Sequence, residues 1–213
     1  MIDSQLIWES LPKLLQGAAL SLQITLVAAV IGLCVGTVLA FAETSRSRML
    51  QAAILAYVTL VRGTPMLVQI LIAYYVLPQF GIMIAPFWAA SMAIGLNSGA
   101  YVSQIVMAGV NAVSLGQLEA AQTLGLSRTA TMRFIVFPQA YRIAMPALGN
   151  ELVTLVKDSS LASIIGVVEL SKEASIIRSH TYDAFSILIA ISLIYLLMTA
   201  SLTFFLKKLE KRL

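Results

Sequence analysis

Two stretches of this chain carry no charged side chain, and they decide what it can fold into. Residues 14–42 hold no Asp, Glu, Lys or Arg over 29 positions, and residues 63–118 hold none over 56. A helix that crosses the hydrocarbon core of a bilayer needs about 20 apolar residues. The first run exceeds one crossing. The second is too long for one helix and long enough for two. Pro78, Gly81 and Pro86 punctuate it near its middle, which places a turn there. Composition agrees: 59% of the 213 residues are hydrophobic and 11% charged, against roughly 45–50% and about 25% in a soluble domain. So few charges cannot cover a soluble surface, and so apolar a chain is not disordered. Cys34 and His180 are the only residues of their kinds, which excludes an internal disulfide framework and a Cys- or His-rich metal site.

The remaining spans follow the same pattern. The second helix begins near Gln51 and carries Arg62 within it. A fourth apolar stretch, from about 143 to 168, carries Glu151, Lys157 and Asp158, and a fifth covers 184–206. Lipid leaves backbone groups no external partner, and the period-2 pattern of a barrel is absent, so the spans must be helices. The expectation is an all-α membrane protein of five transmembrane helices in a single domain, 1–213. Nine of the 14 basic residues fall after helix one, after helix three and in the C-terminal tail. Basic residues favour the cytoplasmic side, so the N-terminus faces out and the C-terminus faces the cytoplasm. That distribution accounts for the net charge of +4 without nucleic acid as a partner. Ala40-Phe41-Ala42 resembles a leader cleavage site, but the apolar run before it is about twice too long for a signal peptide.

The segment between helices three and four, residues 112–142, reads as a cytoplasmic loop with structure of its own. Glu119 through Leu124 favours helix, Gly125 is placed to end it in a left-handed cap, and Ser127 can cap a second helix running toward Phe137, where Pro138 breaks the pattern. A short helix there can dock into a groove of a soluble partner or merely connect two spans. Small residues also recur every four positions, at Ala28, Gly32, Gly36 and Ala40, and at Ser91, Gly95, Gly99 and Ser103. Such stripes let helix backbones approach closely, within one bundle or across a dimer seam.

The loop resembles the EAA loop of bacterial ABC importer permeases: E-A-A, three residues, G, nine residues, I-x-L-P. Glu119, Ala120, Ala121, Gly125, Ile135 and Pro138 stand in register over 20 residues, with Phe137 where Leu is usual. Arg62-Gly63-Thr64-Pro65-Met66-Leu67-Val68-Gln69, and Gly149-Asn150-Glu151 followed by Leu155-Val156-Lys157-Asp158-Ser159-Ser160-Leu161, are similar to signatures of the polar amino acid (histidine/glutamine-type) branch. The resemblance implies the type I ABC importer permease fold. It also implies a coupling helix that seats in an ATPase, carried here by Glu119, Ala120, Ala121, Gly125 and Leu126. It further implies an ABC ATPase dimer, a second permease chain (identical or paralogous) and an extracytoplasmic amino-acid-binding protein as partners, in a bacterial inner membrane. Gln104 and Met107 stand where members often carry acidic and basic residues, so no role of those charges transfers.

Charge inside a bilayer costs about 2.5–3.5 kcal/mol per residue on insertion scales, so Arg62, Glu151, Lys157 and Asp158 need partners or water. On an ideal helix Glu151, Thr154, Leu155, Asp158 and Ala162 share a face, and Lys157 lies about 100° from Asp158. Glu151 can face a polar cavity and attract an ammonium or guanidinium group. Arg62 or Lys157 with Asp158 can form a purely structural ion pair. Thr64, Gln69, Asn97, Ser98, Tyr101 and Asn150 are further polar candidates for the cavity, though each type also serves as a helix-packing hydrogen bonder. A cationic L-amino acid such as arginine, lysine or histidine follows as the expected substrate. In similar permeases Glu or Gln occupies the Glu151 position, which keeps a neutral amide such as glutamine open. The chain lacks G-x-x-x-x-G-K-[ST], so no cofactor is expected on it and ATP belongs to a partner. An intramembrane enzyme would need a nucleophile–base pair; Ser159 and Ser160 beside Lys157 are the nearest approach to one. A passive channel or scaffold would leave the 119–138 pattern without purpose.

Overall fold

The computed structural model describes residues 2–210, which form helices joined by short turns, with no strand among them. Helix α1 spans Ser4–Glu43, α2 Arg48–Gly63, α3 Met66–Leu71, α4 Pro86–Asn111, α5 Leu115–Thr123, α6 Arg128–Thr131, α7 Phe137–Asp158, α8 Leu170–Thr181 and α9 Ala184–Glu210. The turn expected between Pro78 and Pro86 is present: Gly81 adopts φ +80°, and Pro86 opens α4 in its first turn. Tail residues 211–213, which include Lys211 and Arg212 of the orientation argument, lie outside the described residues.

Three helices, α1, α4 and α9, are long and apolar enough to cross a membrane. Residues 48–63 and 66–80 pass that test together but bend by 104°, so the expected second span is broken. Its cause is local. Pro65 has no N–H, and the residue before a proline is driven out of the helical region; Thr64 is accordingly extended, at φ −117°, ψ 145°. Helix α7, with 22 residues, is about 33 Å long at the usual rise. Length suits a crossing, but Arg142, Glu151, Lys157 and Asp158 keep it from standing out as apolar. By length and composition α1, α4 and α9 qualify as spans and the bent pair makes a fourth; α7, the remaining one of the five expected, does not meet the same test.

Helices α1 and α4 form the spine, and their small-residue stripes are the reason. A Cβ at Gly36 would lie 2.5 Å from Val102 Cγ1, one at Gly95 2.7 Å from Ile31 Cβ, and one at Gly99 2.8 Å from Val35 Cγ1. The stripes therefore pack inside one bundle. Helix α7 lies against α4, where Gly109 meets the Ala140 carbonyl. Ile24, Ala28, Ile70, Ala89, Ile94 and Leu155 fill the centre.

Three features differ from the sequence expectation. Pro138 does not break the chain's helical course: residues 132–136 form one wide π turn, and Pro138 sits in the first turn of α7, where its missing N–H is harmless. At the other end, α7 tightens to a 3₁₀ helix over Ser159–Ile165, so Ala162 leaves the face shared by Glu151 and Asp158. The segment after it holds a helix with no counterpart in the sequence expectation, α8. Glu169 caps α8 by accepting from Lys172 N at 2.9 Å, and its other oxygen accepts from Ser21 Oγ at 3.1 Å and Tyr195 Oη at 3.0 Å. One buried carboxylate thereby ties α8 to α1 and α9.

Candidate functional site

Glu151 lies two-thirds of the way along α7, half-buried, with Ser98 Oγ of α4 donating to its Oε1 at 2.8 Å. Both line a cavity of about 450 Å³ between α1, α4, α7 and α9, whose other walls include Leu26, Leu33, Val102, Tyr141, Leu152 and Leu206. The carboxylate therefore sits in apolar surroundings with one hydroxyl as its hydrogen-bonded neighbour. Such a group attracts a cation far more strongly than it would in water.

The other polar candidates fall into separate places. Thr64, Gln69 and Asn97 serve the bend. In an unbroken α2 the Val61 carbonyl would accept from the N–H of residue 65, which is proline. Gln69 Nε2 takes that role at 2.8 Å, with Asn97 Nδ2 at 3.4 Å. Gln69 Nε2 also donates to Thr64 Oγ1 at 2.9 Å, and Asn97 Nδ2 to Gln69 Oε1 at 3.1 Å. Thr64 Oγ1 in turn donates to the Leu60 carbonyl at 2.9 Å. These side chains replace the backbone bonds that Pro65 removes, and they pin α2 and α3 to α4. The signal is in the sequence: a proline four residues after a helical carbonyl removes that carbonyl's usual donor.

Tyr101 lies beneath Arg62, whose guanidinium carbon is 5.0 Å from the ring centroid. Arg62 is exposed at the last turn of α2 and, with Tyr101, Gln104 and Ile143, lines a second cavity of about 370 Å³. An aromatic face, not Asp158, accompanies this cation. Asn150 is exposed on α7 and opens onto a third space of about 200 Å³ with Thr203, Lys207 and Glu210 of α9. Lys157 is exposed in the last turn of α7, and Asp158 is half-buried beside it.

At the end of the bundle where α1 and α4 finish, residues 112–142 fold as α5, a cap, α6, the π turn and the first residues of α7. Gly125 has φ +72°; its N–H donates to the Gln122 carbonyl at 2.9 Å and Leu126 N–H to the Ala121 carbonyl at 3.1 Å. That pair of bonds is the Schellman arrangement, which needs a residue tolerant of the left-handed region. Ser127 Oγ caps α6 by accepting from Ala130 N at 3.2 Å. Ala121 is buried, while Glu119 and Ala120 are exposed. Leu115 and Leu124 are exposed on the outer side, at 74% and 77%.

The family model described as "binding-protein-dependent transport system inner membrane component" matches residues 32–213. The chain is 40% identical over 204 residues to the arginine transport system permease protein ArtQ of Bacillus subtilis (strain 168), covering 95% of this chain and 93% of that one. It is 36% identical over 212 residues to the glutamine transport system permease protein GlnP of Escherichia coli (strain K12), covering 99% and 97%. A crystal structure of an amino acid ABC transporter with histidines superimposes with a TM-score of 0.93 at 38% identity, covering all of both chains. With the broken α2, the small-residue spine and the capped 112–142 loop all in one helical bundle, the chain belongs to the binding-protein-dependent transport inner-membrane family, among its amino acid ABC permeases.

Proposed function

We propose that this chain is the transmembrane permease subunit of an ATP-driven importer and carries a polar, cationic L-amino acid such as arginine, lysine or histidine. The observation that carries the substrate reading is Glu151: a carboxylate hydrogen-bonded by Ser98, in a largely apolar cavity walled by α1, α4, α7 and α9. A guanidinium or ammonium completes that site; a neutral side chain leaves its charge unmatched. The arginine permease at 40% identity favours the same class. A second reading, a neutral polar amino acid such as glutamine, is favoured by the glutamine permease at 36% identity.

The same reading extends to the rest of the machine. The single permease domain spans 1–213, with 112–142 as its loop toward the ATPase. Glu119, Ala120, Ala121, Gly125 and Leu126 form the coupling element, and exposed Leu115 and Leu124 supply its apolar contact. The chain has no catalytic site or cofactor of its own; ATP is bound by a partner ATPase dimer. A second permease chain completes the path, and an extracytoplasmic binding protein delivers substrate. The N-terminus lies outside and the C-terminus in the cytoplasm. Thr64, Gln69 and Asn97 act on transport through the bend they hold, Tyr101 through Arg62, and Asn150 at the rim of α7 facing α9. Lys157 and Asp158 mark the far end of the same helix.

Uptake into proteoliposomes by the complete transporter tests the substrate reading. Glu151→Gln is expected to cut arginine uptake about tenfold or more, the worth of one charge-assisted hydrogen bond of about 1.5–3 kcal/mol, and to leave glutamine uptake within about twofold of its starting rate. Unchanged arginine uptake would contradict it.

A further inference from the structure

Where α1 and α4 end against the 112–142 loop, a cavity of about 540 Å³ opens between loop and bundle. Small-molecule pockets run about 300–1,000 Å³, so its size suits a compact ligand. Its bundle wall brings Glu43 and Asn111, the α1–α2 turn brings Arg46, and the loop wall brings Gln122, Arg128 and Thr131. Gln104 Nε2 reaches Glu43 Oε2 at 3.3 Å, a long bond for a carboxylate, and among the described residues no carboxylate pairs with either guanidinium. The cavity thus presents two cations and one anion, and the side-chain amides of Asn111 and Gln122 also line it. An anion alone would face Glu43, and a cation alone would face two arginines. A zwitterion satisfies both, its anionic group taking the guanidinium donors and its ammonium taking Glu43.

We propose that this cavity binds a zwitterion bearing a primary ammonium beside an anionic group, and that its occupancy holds the loop against the bundle. Two sources offer that chemistry: a free amino acid in the cytoplasm and the phosphoethanolamine headgroup of a lipid. Because the ligand touches both walls, it binds the present placement of the loop more tightly than a displaced one, and it opposes displacement by that difference. The site is separate from the Glu151 cavity, which shares none of its lining residues. Its regulatory half rests on the permease reading above; its binding half does not.

The test uses the complete transporter in nanodiscs of phosphatidylcholine and phosphatidylglycerol, reading ATPase rate against L-arginine, L-glutamine and their N-acetyl forms. The free amino acids are expected to slow hydrolysis about fivefold, a typical coupling between sites. The N-acetyl forms, which lack the ammonium, leave it unchanged. Arg46→Gln and Glu43→Gln each abolish the effect while uptake persists, and Glu151→Gln retains the effect while arginine uptake falls. If phosphatidylethanolamine in the disc produces the same slowing with no amino acid added, and Arg46→Gln removes it, the headgroup is the occupant and the proposal stands. No slowing by either source, or slowing that survives both Arg46→Gln and Glu43→Gln, overturns it. Should the purified chain bring no ATPase, the permease reading fails instead, and a thermal shift of the chain with L-glutamine, abolished by Arg46→Gln, still decides the binding claim.

Discussion

The Val61 carbonyl shows how one residue's missing hydrogen sets a local architecture. Pro65 orphans it, and Gln69 and Asn97 supply the replacement donors at 2.8 and 3.4 Å. A buried acceptor left without a donor costs about 1–3 kcal/mol. Gln69→Leu is therefore expected to lower the melting temperature of the detergent-solubilised protein clearly, and Asn97→Leu by less, because its bond to Val61 is longer. A Gln69→Leu variant that melts like wild type would show that the bend holds without this bond. Asp183 offers a second residue-level test, outside the spans. The Ser186 hydroxyl, at 2.6 Å, and then the Ser186 N–H, at 2.9 Å, hold its carboxyl below the usual carboxylate range. A depressed pKa means stability that is present above the unfolded-state value of about 3.9 and lost as pH falls through the folded one. The start of α9 should lose amide-exchange protection only below about pH 4. Ser186→Ala should raise the midpoint of that loss toward the ordinary value; an unmoved midpoint contradicts the assignment.

Among elements, the α1–α4 spine and the α5–α6 loop make opposite demands on glycine. At Gly36 the demand is space: a Cβ would stand 2.5 Å from Val102 Cγ1 and 2.9 Å from the Gly99 carbonyl. Gly36→Leu should abolish the folded bundle, seen as aggregation on size exclusion, whereas Gly63→Ala, with nothing within 4 Å, should elute normally. At Gly125 the demand is backbone: nothing lies within 4 Å of a Cβ there, but φ is +72°. A non-glycine residue there costs about 1–2 kcal/mol, most for a β-branched one. Gly125→Val should leave the bundle folded and reduce uptake per ATP hydrolysed; the same result is expected of Glu119→Lys. Unaltered uptake in both variants would remove the coupling role.

These elements also show what the sequence made legible. Charge-free runs announce α1, α4 and α9, because burial in lipid leaves a compositional mark along a whole helix. Gly125 and Ser127 announce their caps, because a positive φ and an open helix start each require a particular residue type. Helix α8 was not visible: it is short, mixed in charge, and held by Glu169 reaching residues 21 and 195, contacts distant in sequence. The bend after Gly63 carried its signal in Pro65, but the roles of Gln69 and Asn97 exist only once the helix is broken. Of the polar candidates, Ser98 alone shares the Glu151 cavity. Helical periodicity along α7 places residues on one face of that helix and says nothing about which face of α4 meets it.

On the scale of the whole molecule, two sites stand at different depths of one bundle. The Glu151 cavity lies between α1, α4, α7 and α9, and the loop 112–142 lies where α1, α4 and α7 begin or end. Helix α7 joins them through the π turn at 132–136, so displacement of the loop acts directly on the helix that carries Glu151. The family match makes the chain one component of a binding-protein-dependent transport system. The most direct test is to tag the chain at its C-terminus, extract it mildly from its own membrane and weigh the intact assembly by native mass spectrometry. One mass containing two permease chains and two subunits of a separate ATPase is expected. A chain that remains free of any ATPase, even after crosslinking through residues 115–126, would contradict it.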